Sequence, residues 1–174
     1  MRQAGLVPVS DRAVFDCMIY LQAAVNEGGP AFACFRLVEA GEVILCVSDE
    51  VLAEARDVLT RPALRAKFRQ LTSERVDAFL QNVRAKAVTI AEVPNVSSCP
   101  RDPDDAPYVN LAIAAGARYL VSRDKDLLDL MKDADFRRRF ATLAILDPAA
   151  FLLERRGKRQ LQHDREEDQA DAPE

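Results

Sequence analysis

Four acidic residues stand where a strand is expected to end or a helix to begin: Asp16, Glu54, Asp105 and Asp124. Asp16 follows the apolar run Ala13-Val14-Phe15, and Asp124 lies just beyond Arg118-Tyr119-Leu120-Val121. Glu54 lies a turn and a half into the helix expected after a second apolar run, Val43 to Val47, and Asp105 opens the helix expected to end at Gly116. In a parallel sheet, ligands bind beyond the carboxyl ends of the strands. If these strand ends share one edge, four carboxylates converge on one crevice. Crowded carboxylates raise one another's pKa, and a divalent cation relieves the repulsion. An all-oxygen set suits Mg2+ or Mn2+ rather than zinc. Such an ion lowers the pKa of bound water and neutralises charge on a leaving oxygen, which allows phosphodiester hydrolysis without histidine.

The rest of the composition removes most other chemistries. The chain has one histidine, His163, set among charged residues near its C-terminus. That argues against a Ser-His-Asp triad, a Cys-His pair and a metal-free, histidine-dependent ribonuclease. Cys17, Cys34, Cys46 and Cys99 form no C-x-x-C pair and read as small apolar residues in a reducing compartment. No phosphate-binding glycine loop is present. A formal charge of −4 means that nucleic acid must be met by a local basic rim or bound cations. Arg123 and Lys125, flanking Asp124, are the candidates to meet substrate phosphates. With no signal-peptide core and no apolar stretch near the roughly 20 residues of a membrane span, the expectation is a soluble, cytoplasmic protein with no membrane partner.

Strands are expected at 13–15, 43–47, 88–90, 118–121 and 143–146. Helices are expected at 31–40, 49–59, 63–70, 74–86 and 105–115, with a last one starting at Asp147-Pro148. Ser48 reads as an N-cap, as does Thr72 or Ser73, while Gly41 and Gly116 close helices. Alternation of strand and helix predicts an α/β fold with a parallel sheet covered on both faces. One domain is expected over residues 1–153. Residues 154–174, dominated by charge, are expected to be a disordered tail.

Within the acid set the alternatives are local. Asp104 competes with Asp105, and Asp102 is a third acid of that loop. Asp126 competes with Asp124 as inner ligand, or supports it from outside or caps the next turn. Ser122 is a candidate to hydrogen-bond a carboxylate or bound water. Asn110, one turn into the Asp105 helix, faces either the crevice or solvent.

At these residues the sequence resembles the PIN-domain family. Ala13-Val14-Phe15-Asp16 is similar to its first strand and leading aspartate, and Ser48-Asp49-Glu50-Val51-Leu52-Ala53-Glu54 to its serine-capped helix with the second acid. Arg101-Asp102-Pro103-Asp104-Asp105, followed by Leu111 to Leu128 with Ser122-Arg123-Asp124-Lys125-Asp126, resembles the third and fourth acids in the toxin branch of toxin–antitoxin systems. The resemblance spans roughly residues 11 to 153. It implies a three-layer α/β/α sandwich with a mainly parallel central sheet. It also implies Mg2+- or Mn2+-dependent RNA cleavage leaving a 5′-phosphate, a homodimer, and a small antitoxin that blocks the crevice. Asp16, Asp105 and Asp124 would hold the metal and Glu54 would complete the catalytic set. One departure stands out: the family's Asp-Thr-Asn or Asp-Ser-Asn opening reads Asp16-Cys17-Met18 here.

Two other families that place an aspartate after a strand fit less well. A haloacid-dehalogenase-type phosphatase wants a second aspartate at the position of Met18, and a receiver domain wants an acidic pair at the first strand. The non-enzymatic alternative is a PIN module that binds RNA or a protein partner without cutting.

Overall fold

The computed structural model describes residues 11–96 and 103–170, with side chains as far as 167. Five strands, β1 (Asp11–Phe15), β2 (Val43–Val47), β3 (Val88–Thr89), β4 (Tyr119–Val121) and β5 (Ala144–Leu146), form one sheet in the order β3-β2-β1-β4-β5. Every pairing is parallel.

Alternation along the strands sorts the core into two halves, as the two-residue side-chain period requires. Ala13, Phe15, Tyr119 and Val121 face one apolar cluster, and Val14 and Leu120 face the other. The first cluster is covered by α1 (Cys17–Val25), α2 (Pro30–Glu39), α3 (Asp49–Leu59), α5 (Ser73–Lys86) and α9 (Pro148–Ala170), with the short α4 (Pro62–Lys67) at its margin. Edge-to-face rings of Phe15, Phe35, Tyr20 and Phe151 fill its centre. The second is covered by α6 (Ala106–Ala114), α7 (Lys125–Asp129) and α8 (Ala134–Arg139). The result is the expected three-layer α/β/α sandwich.

The local signals act as read. Ser48 caps α3 by accepting the Val51 N–H at 3.2 Å, and Thr72 rather than Ser73 caps α5. Gly41 and Gly116 follow α2 and α6 with φ of +73° and +60°, conformations in which a Cβ is strained. The segment from Lys125 to Arg139, for which no helix was expected, folds into α7, a 3-10 turn and α8. Asp124 and Asp133 cap the two helices, on pieces too short to show a helical period.

The expectation of a disordered tail from residue 154 is corrected. α9 runs without a break from Pro148 to Ala170. Its third turn docks at the amino-terminal edge of the sheet: Arg155 and Lys158 both pair with Asp11, Arg159 pairs with Glu42, and Glu154 accepts a hydrogen bond from the Tyr119 hydroxyl. Loss of apolar residues was read as loss of contact. Long basic side chains instead reach acids on β1 and beside β2, a long-range pairing that composition does not reveal.

Candidate active site

Phe15 lies opposite Val121 in the β1–β4 pairing, so the next residues, Asp16 and Ser122, leave the sheet side by side. The backbone fixes them there. Asp16 N–H donates to the Val121 carbonyl at 3.1 Å, and Ser122 N–H to the Leu146 carbonyl at 3.0 Å. The Ser122 hydroxyl donates to Oδ2 of Asp16 and accepts the Asp124 N–H at 2.8 Å. A single fully buried serine thus joins the first acid to the loop of the fourth.

Asp16 is both a helix cap and a buried charge. Its Oδ1 accepts the Ile19 N–H at 3.1 Å, capping α1, while only 3% of the residue is exposed. Burial pushes its carboxyl up from 3.8 to about 6, with the Asp124 charge adding to the rise. Hydrogen bonds from Ser122 and from the Ile19 and Met18 N–H groups oppose the rise and are outweighed. A cation beside this carboxylate would reverse that balance.

Glu54 reaches the same end of the sheet from the middle of α3. Its Oε2 accepts from the Tyr108 hydroxyl at 2.6 Å, and Oε1 faces the Cys17 Sγ at 3.9 Å. The Tyr108 hydroxyl in turn accepts the Cys17 N–H at 3.2 Å. Burial, with Glu54 and Asp16 close by, pushes the Cys17 thiol up to about 11, so it stays protonated. Tyr108 was not singled out from the sequence. The signal available was its position: a hydroxyl one turn after Asp105, on the same face of a helix otherwise built of Val109, Leu111, Ala112 and Ile113.

Asp105 is buried at the start of α6, and its side chain makes no cap hydrogen bond there, whereas Asp104 is exposed. Asp124 is exposed and caps α7 by accepting the Asp126 N–H at 2.7 Å, so Asp124 and not Asp126 supplies that cap. Arg123 and Lys125 are exposed on either side of it. Asn110 faces neither crevice nor solvent: it accepts the Val96 N–H at 3.2 Å and donates to Asn95 at 3.1 Å, pinning the connection that leads towards Asp105. Asp102 and Cys99 lie outside the described residues.

The expected gathering of four carboxylates is only partly present. Among the described residues, no three His, Cys, Asp or Glu side chains are grouped to hold a metal ion. The physical reason is visible in the contacts. Like charges repel, and three of the four acids have local donors: α1 and Ser122 for Asp16, α7 for Asp124, Tyr108 for Glu54. What remains is the pair Asp16 and Asp124, bridged through Ser122. This pair fits Mg2+, which keeps several waters and commonly takes only one or two protein carboxylates. Pocket shape does not mark the site: a cavity of about 690 Å3 opens at the other edge of the sheet, lined by Arg12, Arg118, Leu143 and Glu154 among others.

The family model for the PIN domain matches residues 12–126, more than half of the chain, and its span includes all four acids. The chain belongs to the PIN-domain family. No curated protein and no solved structure matches it. PIN domains are generally nucleases, hydrolases of nucleic acid that typically use divalent metals. In this PIN domain Cys17 and Met18 follow Asp16 on the first turn of α1. No helix among the described residues is long and apolar enough to cross a membrane.

Proposed function

We propose that the chain is a metal-dependent endoribonuclease that hydrolyses RNA phosphodiester bonds, with Asp16, Glu54, Asp105 and Asp124 as its acid set. The observation that carries the reading is the buried Asp16, pushed up to about 6 and bridged by Ser122 to the Asp124 loop. A buried carboxylate whose hydrogen bonds do not fully offset its burial weakens the fold unless it acquires a cation.

Asp16 and Asp124 would hold Mg2+ or Mn2+, with Asp105, buried at the start of α6, as the third acid to reach it. The ion would supply an activated water and neutralise charge on the scissile phosphate. Ser122 orients Asp16 and keeps it ionised by donating to Oδ2. Glu54, held by Tyr108, would accept a proton from the attacking water. Asp104 and Asp126 support the set from its margin. Arg123 and Lys125, exposed beside Asp124, are the side chains to meet flanking phosphates, a local basic rim on an acidic protein.

The similarity of the Arg101 to Leu128 block to the toxin branch supports a finer reading. In it the chain is the toxin of a toxin–antitoxin pair, cytoplasmic, dimeric, and held in check by a small antitoxin over the acids. A second reading, a PIN module that binds RNA or a protein partner without cutting, draws on Cys17 and Met18 in place of the family's polar pair. Incubation of the purified chain with single-stranded RNA separates the two. Cleavage that appears with Mg2+ or Mn2+, leaves 5′-phosphate ends and stops in EDTA is expected. RNA binding without cleavage in any divalent metal would favour the second reading.

A further inference from the structure

We propose that Tyr108 is a positioning residue for Glu54, holding its carboxylate against the first turn of α1, the helix that Asp16 caps. The role in catalysis rests on the nuclease reading above; the clasp itself does not.

The argument begins with a buried hydroxyl. Tyr108 is 3% exposed on a helix packed against β1 and β4. A phenol hydroxyl taken out of water is destabilising unless partnered. Here it is fully used: it donates to Glu54 Oε2 at 2.6 Å and accepts the Cys17 N–H at 3.2 Å. The Cys17 N–H is one of the donors that the start of any helix leaves without an intrahelical partner. Asp16 takes the Ile19 N–H and Tyr108 takes that of Cys17, so the hydroxyl completes the capping of α1. The same atom ties α3 to α1 through Glu54. Three elements from distant parts of the chain, at residues 17, 54 and 108, meet at one oxygen.

Glu54 needs such a hold. It is a flexible, half-buried side chain on α3, and the other hydrogen bond it accepts among the described residues, from the Cys17 thiol at 3.9 Å, comes from a weak donor. Without the phenol, several rotamers of Glu54 point to solvent at little cost. Burial and the adjacent Glu54 raise the Tyr108 hydroxyl far above its ordinary range, so it remains a donor at every working pH.

A second buried tyrosine provides the control. Tyr20 is fully buried among Phe35 and Phe79, and its hydroxyl has no hydrogen-bond partner among the described residues. Removing that oxygen takes away no hydrogen bond to an acid among the described residues, although the Asp16 charge is near enough to push the hydroxyl's pKa up.

The experiment compares the parent, Tyr108→Phe and Tyr20→Phe by two readouts. The first is RNA cleavage at saturating Mn2+, resolved into kcat and KM. The second is the rate at which iodoacetamide alkylates Cys17 in EDTA, followed by peptide mass spectrometry, with Cys34 and Cys46 as internal references. The Cys17 rate is divided by the thiolate fraction found by titrating Cys17 in each variant, because the Tyr108 hydroxyl itself lowers the pKa of that thiol. For Tyr108→Phe, kcat is expected to fall at least about ten-fold, the loss of a hydrogen bond to a charged group, with KM within about two-fold of the parent. Cys17 alkylation is expected to rise several-fold while Cys34 and Cys46 stay slow. Tyr20→Phe should match the parent in both readouts. Parent-like Cys17 alkylation in Tyr108→Phe overturns the clasp, as does an equal rise at all three cysteines, which would mean general loosening. Cys17 exposure with unchanged kcat overturns the positioning role. A parent that cleaves nothing in any metal defeats the nuclease reading, and the alkylation arm still decides whether Tyr108 holds Glu54.

Discussion

Ser122 donates its hydroxyl proton to Asp16 across the parallel pairing of β4 and β1, and the same oxygen accepts the backbone N–H of Asp124. The bond favours the ionised form of Asp16 and opposes the rise caused by burial. Ser122→Ala should therefore push the Asp16 carboxyl higher still. Metal-dependent cleavage should lose its acid side, with the rising limb of the pH–rate profile moving up by roughly one pH unit, the value of a hydrogen bond to a charged group. An acid limb unchanged from the parent would show that Ser122 serves only the turn.

Asp16 also makes a prediction about stability. Below pH 3.8 the carboxyl is protonated in both folded and unfolded chains and contributes no difference. Between 3.8 and about 6 the unfolded chain releases its proton while the folded chain keeps it, so stability falls as pH rises. Above about 6 the whole penalty is present, about 3 kcal/mol. In EDTA, Asp16→Asn should then melt close to the parent at pH 4 and above it at pH 7.5, because asparagine retains the cap acceptor without the charge. A variant less stable than the parent at pH 7.5 would mean that the ionised carboxylate holds the fold together.

The charged extension of α9 divides into a docked part and an exposed part. Residues 161–167 are exposed throughout, whereas Arg155 and Lys158 pair with Asp11. Truncation after Gln160 should change the melting temperature by no more than a degree or so. Truncation after Glu154 should lower it by roughly 5–10 °C, since removing one side of a half-buried ion-pair network strands the acids it satisfied. Equal melting temperatures for the two truncations would show that the Asp11 pairs contribute nothing.

How much of this was legible in the sequence follows from the range of the interactions. Short-period signals carried the frame: the apolar run ending at Asp16, the Ser48 cap and the glycines at 41 and 116 all fold as their local chemistry dictates. The placement of Asp16 beside Ser122 rests on β1 lying next to β4, a strand order that alternation of strands and helices alone does not give. Tyr108 was invisible because its partners, Glu54 and Cys17, lie 54 and 91 residues away. The docking of Arg155 on Asp11 spans 144 residues and was invisible for the same reason. The donors that hold Asp16, Glu54 and Asp124, namely Ser122, Tyr108 and the first turns of α1 and α7, include contacts over long stretches of chain that the spacing of the acids does not show.

The central claim is that Asp16 belongs to a divalent-metal site that performs hydrolysis, and a Mn2+ titration followed by melting temperature and RNA cleavage on the same samples tests it. The parent should gain roughly 2.7 kcal/mol when free metal reaches about 100 times its dissociation constant, and cleavage should rise over the same concentrations. Asp16→Asn and Asp105→Asn should remain folded, gain far less from the metal, and cleave nothing measurable. Zn2+ should not substitute. Variants that gain as much from Mn2+ as the parent and still cleave, or a parent whose cleavage persists in EDTA after exhaustive metal removal, would contradict the account.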